Sequence, residues 1–247
     1  MTGMLASVTS IKEAQLVHKN GVDIIDLKNP ELGALGALDT SVVSNIVDSI
    51  SDVILTSATI GDIEPNDPLL YERIVSMGNT GVDYVKVGLF ADYANEYFIE
   101  VLNQAVKKNI KIIVVLFAED YVSLTSLEDL MTSDISGVML DTKSKTDKNL
   151  LSLLNRQILD GFVRLAKSYG LLTGLAGSLQ YEDISALLDI DADYLGFRGA
   201  LCAENNRVRS IEIKNLVKIR KAIPRQRNID YGDEEYREEV LSNGTMA

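Results

Sequence analysis

Two short apolar runs in this chain carry lysines where a buried strand normally carries aliphatic side chains. In Asp23-Ile24-Ile25-Asp26-Leu27-Lys28 the two-residue strand period puts Ile24, Asp26 and Lys28 on one face, with Ile25 and Leu27 on the other. In Tyr84-Val85-Lys86-Val87-Gly88-Leu89, Lys86 sits between two valines and shares its face with Tyr84 and Gly88. Burying such charges is costly unless they are paired. A structural ion pair is one reading of Asp26 and Lys28. The second lysine shifts the balance towards chemistry. Two ammonium groups in a partly desolvated space lower the pKa of at least one of them. A neutral lysine amine attacks carbonyls and serves as a general base. Asp26 would then hold the second lysine protonated or shuttle a proton, and Gly88 would leave room for a ligand.

Other residues point to the same place. Met139-Leu140-Asp141-Thr142 ends in a carboxylate at a strand end, followed by Lys143-Ser144-Lys145. Lys145 would meet Asp141 or a substrate phosphate, or else join Lys143 and Lys148 in a solvated surface run. Ala176-Gly177-Ser178-Leu179 and Phe197-Arg198-Gly199-Ala200 are small-residue turns whose backbone N–H groups suit an oxyanion. Gly177, Ser178, Arg198 and Gly199 are therefore candidate phosphate ligands, with a rim salt bridge as the other reading of Arg198. His18 is the single histidine and lies in a helical pattern away from these residues, so histidine acid–base or zinc chemistry is not expected. Cys202, the single cysteine, reads as a packing residue and excludes an intramolecular disulfide.

The elements that must hold these groups follow from periodicity. β-branched runs at Met4–Val8, Asp23–Lys28, Val53–Thr59, Tyr84–Leu89, Lys111–Phe117, Gly137–Thr142, Leu171–Gly177 and Tyr194–Gly199 alternate with amphipathic stretches. The latter include Ile11–Lys19, Ser41–Ile50, Glu96–Lys108 and one long stretch over Asn149–Tyr169. Gly21, Gly81 and Gly170 stand where helices should end. This alternation predicts a parallel sheet. Eight runs, no Gly-x-Gly-x-x-Gly after the first, and polar residues at several strand ends favour a closed (β/α)8 barrel over an open sheet. The barrel is expected over residues 1–223, and the polar, acidic stretch 224–247 as a tail or strap.

A length of 247 residues and a hydrophobic content of 46% suit one barrel with a full core. The net charge of −12 opposes nucleic acid and anionic membranes as partners, though lysines focused in a cleft still bind a small anion. No leader-like segment stands at the N-terminus, and no apolar stretch approaches the ~20 residues that span a bilayer, so a cytoplasmic protein is expected. A homo-oligomer is compatible with the sequence, which does not specify oligomeric state.

Taken jointly and in order, several motifs resemble the (5-formylfuran-3-yl)methyl phosphate synthases, also called 4-hydroxymethyl-2-furancarboxaldehyde-phosphate synthases. They are Asp26-Leu27-Lys28-Asn29-Pro30, Gly33-Ala34-Leu35-Gly36-Ala37, Ser57-Ala58-Thr59-Ile60-Gly61-Asp62, Tyr84–Leu89, Met139–Thr142, Leu175–Leu179 and Arg198-Gly199-Ala200. The resemblance implies a lyase that joins two glyceraldehyde 3-phosphate molecules for methanofuran-type cofactor biosynthesis, with neither metal nor organic cofactor. It also implies Lys28 as the Schiff-base lysine, Lys86 as proton acceptor, and Asp26, Asp141 and Lys145 as further site residues. The loop Lys145-Thr146-Asp147-Lys148 departs from the family pattern, and Lys143 offers a competing cation. An Asp-x-Lys strand also occurs in class I aldolases and orotidylate-decarboxylase-like barrels, and a catalytically silent phosphosugar-binding barrel would keep the phosphate loops.

Overall fold

The computed structural model describes residues 1–50, 54–90, 94–120, 124–130, 132–144 and 148–224; Lys145 and the acidic stretch from 225 lie outside them. The elements run β1 (Gly3–Val8), α1 (Ile11–Lys19), β2 (Ile24–Leu27), α2 (Thr40–Ser49), β3 (Leu55–Thr59), α3 (Leu70–Gly78), β4 (Tyr84–Gly88), α4 (Glu96–Val106) and β5 (Ile112–Phe117). They continue with α5 (Leu124–Leu130), β6 (Gly137–Asp141), α6 (Leu150–Leu153), α7 (Arg156–Ser168), β7 (Leu172–Leu175), α8 (Ile184–Leu188), β8 (Tyr194–Phe197) and α9 (Ile213–Ala222). Each strand pairs in parallel with the next, and β8 returns to β1, so the sheet is a closed (β/α)8 barrel.

Side-chain alternation sorts the strands into two layers. Ile25 and Leu27 of β2, Val85 and Val87 of β4, and Val138 and Leu140 of β6 pack outward against the helices in the main core. Inside the barrel, Val115, Phe117 and Met139 form a smaller cluster with Ala34, Leu35 and Ala176. Gly174 and Gly196 make this possible, because a Cβ at either would come within 3.0 Å of the Met139 side chain. These side chains fill part of the barrel interior, next to a small void of about 30 Å³ that Ser57 and Lys86 help to line.

The N-terminal pole of the barrel is pinned by one device used three times. Asp23, Asp83 and Asp193 each immediately precede an even-numbered strand, and each accepts the backbone N–H of the odd-numbered strand before it. The donors are Met4 at 2.6 Å, Thr56 at 2.7 Å and Thr173 at 2.8 Å. Two residues earlier, Gly21, Gly81 and Asp191 have left-handed backbone that turns the chain into the strand.

Helix boundaries follow local capping. Ser10 accepts the Glu13 N–H at the start of α1, as its position suggests. The long stretch expected over Asn149–Tyr169 is instead two helices. Asn155 adopts extended backbone and caps a new start by accepting the Ile158 N–H, so local capping overrides continuous amphipathicity. Among the described residues, no helix is long and apolar enough to cross a membrane.

Candidate active site

At the C-terminal end of β2, Asp26 is fully buried. Its register partners Ser7 on β1 and Ser57 on β3 lie on either side of it. Both hydroxyls donate to the carboxylate at 2.7 Å. A third donor arrives from β4, where the Lys86 ammonium reaches Asp26 Oδ1 at 2.9 Å. Burial alone would push the Asp26 carboxyl up. The Lys86 and Lys28 charges, with the hydrogen bonds from Lys86 and Ser57, outweigh it and hold the carboxyl below the usual carboxylate range. Asp26 is therefore an ionised orienting group. Of the two roles expected for it, holding Lys86 fits this geometry better than shuttling a proton.

Lys28 follows Asp26 by one strand period and is 8% exposed. Its Nζ lies 3.7 Å from Asp141 Oδ2 at the end of β6. Strands β2 and β6 are four apart in the closed ring, so Lys28 reaches across the mouth to meet this carboxylate. At 3.7 Å the contact is electrostatic rather than a hydrogen bond. Both lysines line one cavity of about 410 Å³, within the ~300–1,000 Å³ range of small-molecule sites. The two ammonium groups do not simply face each other, as the strand pattern alone suggested. Each has a buried carboxylate beside it.

The loops after β7 and β8 close one side of the same cavity through Gly177, Ser178 and Gly199. Gly177 and Ser178 have left-handed backbone, at φ 109° and 52°. A Cβ at Gly177 would press on the Thr142 methyl at 2.7 Å. Among the described residues, the N–H groups of Gly177, Ser178 and Gly199 donate to no protein acceptor, so an anion can use them. Helix dipoles add little here, because the elements that follow are 3₁₀ turns at Tyr181–Asp183 and Gly199–Leu201.

Two expectations need correction. Arg198 does not offer its side chain to a phosphate, because protein acceptors take all five of its N–H groups. Nη1 and Nη2 donate to Glu13 at 2.6 and 3.3 Å, and the remaining donors go to the carbonyls of Ser7, Arg207 and Arg209. It is a buried strut for the loop after β8. Gly88 does not open space for a ligand either. The position its Cβ would occupy is already crowded by the Phe90 ring and the Leu35 methyl, the latter at 2.8 Å.

Lys143, the competing cation, is paired with Asp120 at 2.5 Å and lies over the Phe90 and Phe117 rings. Lys145 lies outside the described residues. His18 sits on α1, partly exposed, and Cys202 is buried. Among the described residues, no group of three or more His, Cys, Asp or Glu side chains is placed to hold a metal. Reading the sequence missed Ser7, Asn149 and Arg207, all of which line the cavity. Strand parity with Leu5 marks Ser7 as inward-facing, whereas nothing local marks Arg207.

Fold and site together define a (β/α)8 barrel whose catalytic-end mouth holds two lysines, each set against a buried carboxylate, in a small-molecule cavity. The family model of 4-HFC-P synthase matches residues 4–220, and the chain belongs to that family of enzymes. A (5-formylfuran-3-yl)methyl phosphate synthase of Methanocaldococcus jannaschii is 34% identical over 226 residues, 87% of this chain and 96% of that one. The Methanopyrus kandleri protein of the same name is 31% identical over 227 residues, 87% and 95% of the two chains. A Methylorubrum extorquens protein, provisionally named for the same activity, is 36% identical over 226 residues, 90% and 93% of the two chains.

Among solved structures, phosphoribosyl anthranilate isomerase of Thermotoga maritima superposes with a TM-score of 0.68 at 12% identity, covering 90% of this chain and 98% of that one. A 3-hexulose-6-phosphate synthase does so at 0.63 and 17%, covering 90% and 100%. Those two likenesses concern the fold alone.

Proposed function

We propose that this protein condenses two molecules of glyceraldehyde 3-phosphate to the phosphate ester of 4-(hydroxymethyl)-2-furancarboxaldehyde through an imine on Lys28. The supporting observation is the pairing pattern: a nearly buried strand-end lysine bordering a cavity, with a second lysine held by an ionised aspartate behind it. Asp141 stands close enough to stabilise the Lys28 ammonium and to take up its proton as the amine attacks. Loss of water gives a protonated imine, which withdraws electrons from the neighbouring carbon. Lys86, once it has released its proton to solvent in the cavity, takes the α-proton as an amine, and Asp26 holds the ammonium so re-formed. The resulting enamine adds to the aldehyde of the second triose. Overall, one phosphate and two waters leave and the ring closes. The sum is redox-neutral and needs no oxidant or reductant. Gly177, Ser178 and Gly199 suit one substrate phosphate. The relatives' names support a place in methanofuran-type cofactor biosynthesis.

The test is to incubate purified protein with glyceraldehyde 3-phosphate alone and follow furan absorbance and free phosphate. Lys28→Ala and Lys86→Ala should each abolish furan formation, and borohydride should trap substrate on wild-type protein but not on Lys28→Ala. Undiminished furan formation by Lys28→Ala would remove it as the nucleophile.

A further inference from the structure

Of the four described cations lining the active-site cavity, three have a carboxylate within 4 Å: Lys86 with Asp26, Lys28 with Asp141 and Arg198 with Glu13. The fourth, Arg207, has none among the described residues. Its Nη2 donates to the carbonyls of Pro30 and Gly33. Its Nε and Nη1 donate to no described protein acceptor, and neither is a buried atom left without a partner. The side chain is half-buried and lines the cavity, with these donors left for a ligand.

The surroundings hold it there. The loop after β8 is braced by Arg198, which donates to the Arg207 carbonyl at 2.7 Å and the Arg209 carbonyl at 3.0 Å. The Cys202–Ile211 bridge closes the base of that loop. On the facing loop, Asp62 accepts from Ala34 N at 2.9 Å and Leu35 N at 2.6 Å, which steadies the backbone whose carbonyls Arg207 contacts. With Nη2 held by two carbonyls, Nη1 keeps its N–H groups for a charge-assisted hydrogen bond to an anion such as a phosphate oxygen.

We propose that Arg207 is an anion ligand of the active-site cavity, forming a second phosphate subsite distinct from the backbone cradle at Gly177, Ser178 and Gly199. A condensation of two triose phosphates brings two phosphates into one cavity, and a single cradle serves only one. That assignment of the anion rests on the triose-phosphate reading above, whereas the subsite itself rests on the donors Arg207 has left and on the Asp141 and Asp62 carboxylates acting on it only from beyond 4 Å.

The experiment separates the two. Calorimetric titration with sn-glycerol 3-phosphate, which has no carbonyl, reads anion binding without imine chemistry. Arg207→Gln should weaken it roughly ten- to a hundredfold, the worth of a charge-assisted hydrogen bond. Arg207→Lys should recover part of the loss. Borohydride trapping of unphosphorylated glyceraldehyde on Lys28 should be unchanged in Arg207→Gln. Should that variant fail to fold, phenylglyoxal labelling of wild-type protein carries the test: glycerol 3-phosphate should protect Arg207 from modification. Wild-type affinity in Arg207→Gln, an equal fall in glyceraldehyde trapping, or no protection of Arg207 would overturn the subsite. If wild-type protein traps no adduct but Arg207→Gln still weakens glycerol 3-phosphate binding, the Lys28 chemistry falls and the Arg207 subsite stands.

Discussion

Replacing Asp26 by Asn tests the electrostatic logic of the site most directly. The change keeps the size of the side chain and one oxygen, enough for one of the two serine hydroxyls that now donate to separate carboxylate oxygens, but removes the charge opposite Lys86. Lys86 is 2% exposed, so its ammonium would be left nearly dry with no carboxylate in contact. Breaking one side of a buried pair costs about 3–5 kcal/mol. The penalty has a ceiling, since the variant can shed the proton instead. Releasing a proton from a lysine of ordinary pKa ~10.4 at pH 7 costs about 4.6 kcal/mol, and at pH 9 about 1.9 kcal/mol. The unfolded variant then binds more protons than the folded one, so its stability rises with pH and the deficit shrinks by up to about 2.7 kcal/mol between pH 7 and 9. For a chain of this length a deficit of 3–5 kcal/mol lowers the melting temperature by about 6–10 °C. Calorimetric melts of wild type and Asp26→Asn at both pH values provide the measurement. Asp26→Asn/Lys86→Met should regain most of the loss, because it removes the orphaned charge. A deficit below about 1 kcal/mol, or one equal at pH 7 and 9, would refute this account of the buried pair.

The acid limb gives a second reading of the same group. The folded Asp26 carboxyl lies below its ordinary value, so its contribution is present in full above about pH 3.9 and is lost as pH falls through the folded value. The stability gap between wild type and Asp26→Asn should therefore narrow as pH falls below about 4, and a gap constant from about pH 4 to 2.5 would contradict it. Burial pushes the Cys202 thiol up to about 11, so it should resist a disulfide exchange reagent at pH 8 until the protein is denatured; prompt labelling of native protein would show the loop after β8 to be open. Gly88→Ala forces a methyl against Phe90 and Leu35 and should cost about 1–3 kcal/mol, read as a lowered melting midpoint. An unchanged midpoint would mean that Phe90 moves aside freely.

Much of this architecture is legible in the sequence because it is written in local periodicity. All eight strands fall within two residues of the apolar runs, and Gly21, Gly81 and Gly170 turn with positive φ where helices were expected to end. The inward aim of Asp26, Lys28, Lys86 and Asp141 follows from strand parity, a property of consecutive residues alone. Where reading failed locally, a capping residue had outweighed a pattern, as at Asn155. What the chain's order of residues does not contain is who meets whom across the ring. Lys86 finds Asp26 sixty positions away, Lys28 crosses to Asp141 on the opposite strand, and Arg198 turns from the cavity to Glu13 on α1. Arg207, in an irregular loop with no period to betray it, reaches the mouth only because closure of the barrel brings the loops after β2 and β8 together. Periodicity sets the face on which a charge appears, but the sign and distance of its neighbours depend on a ring that exists only once the eighth strand has paired with the first.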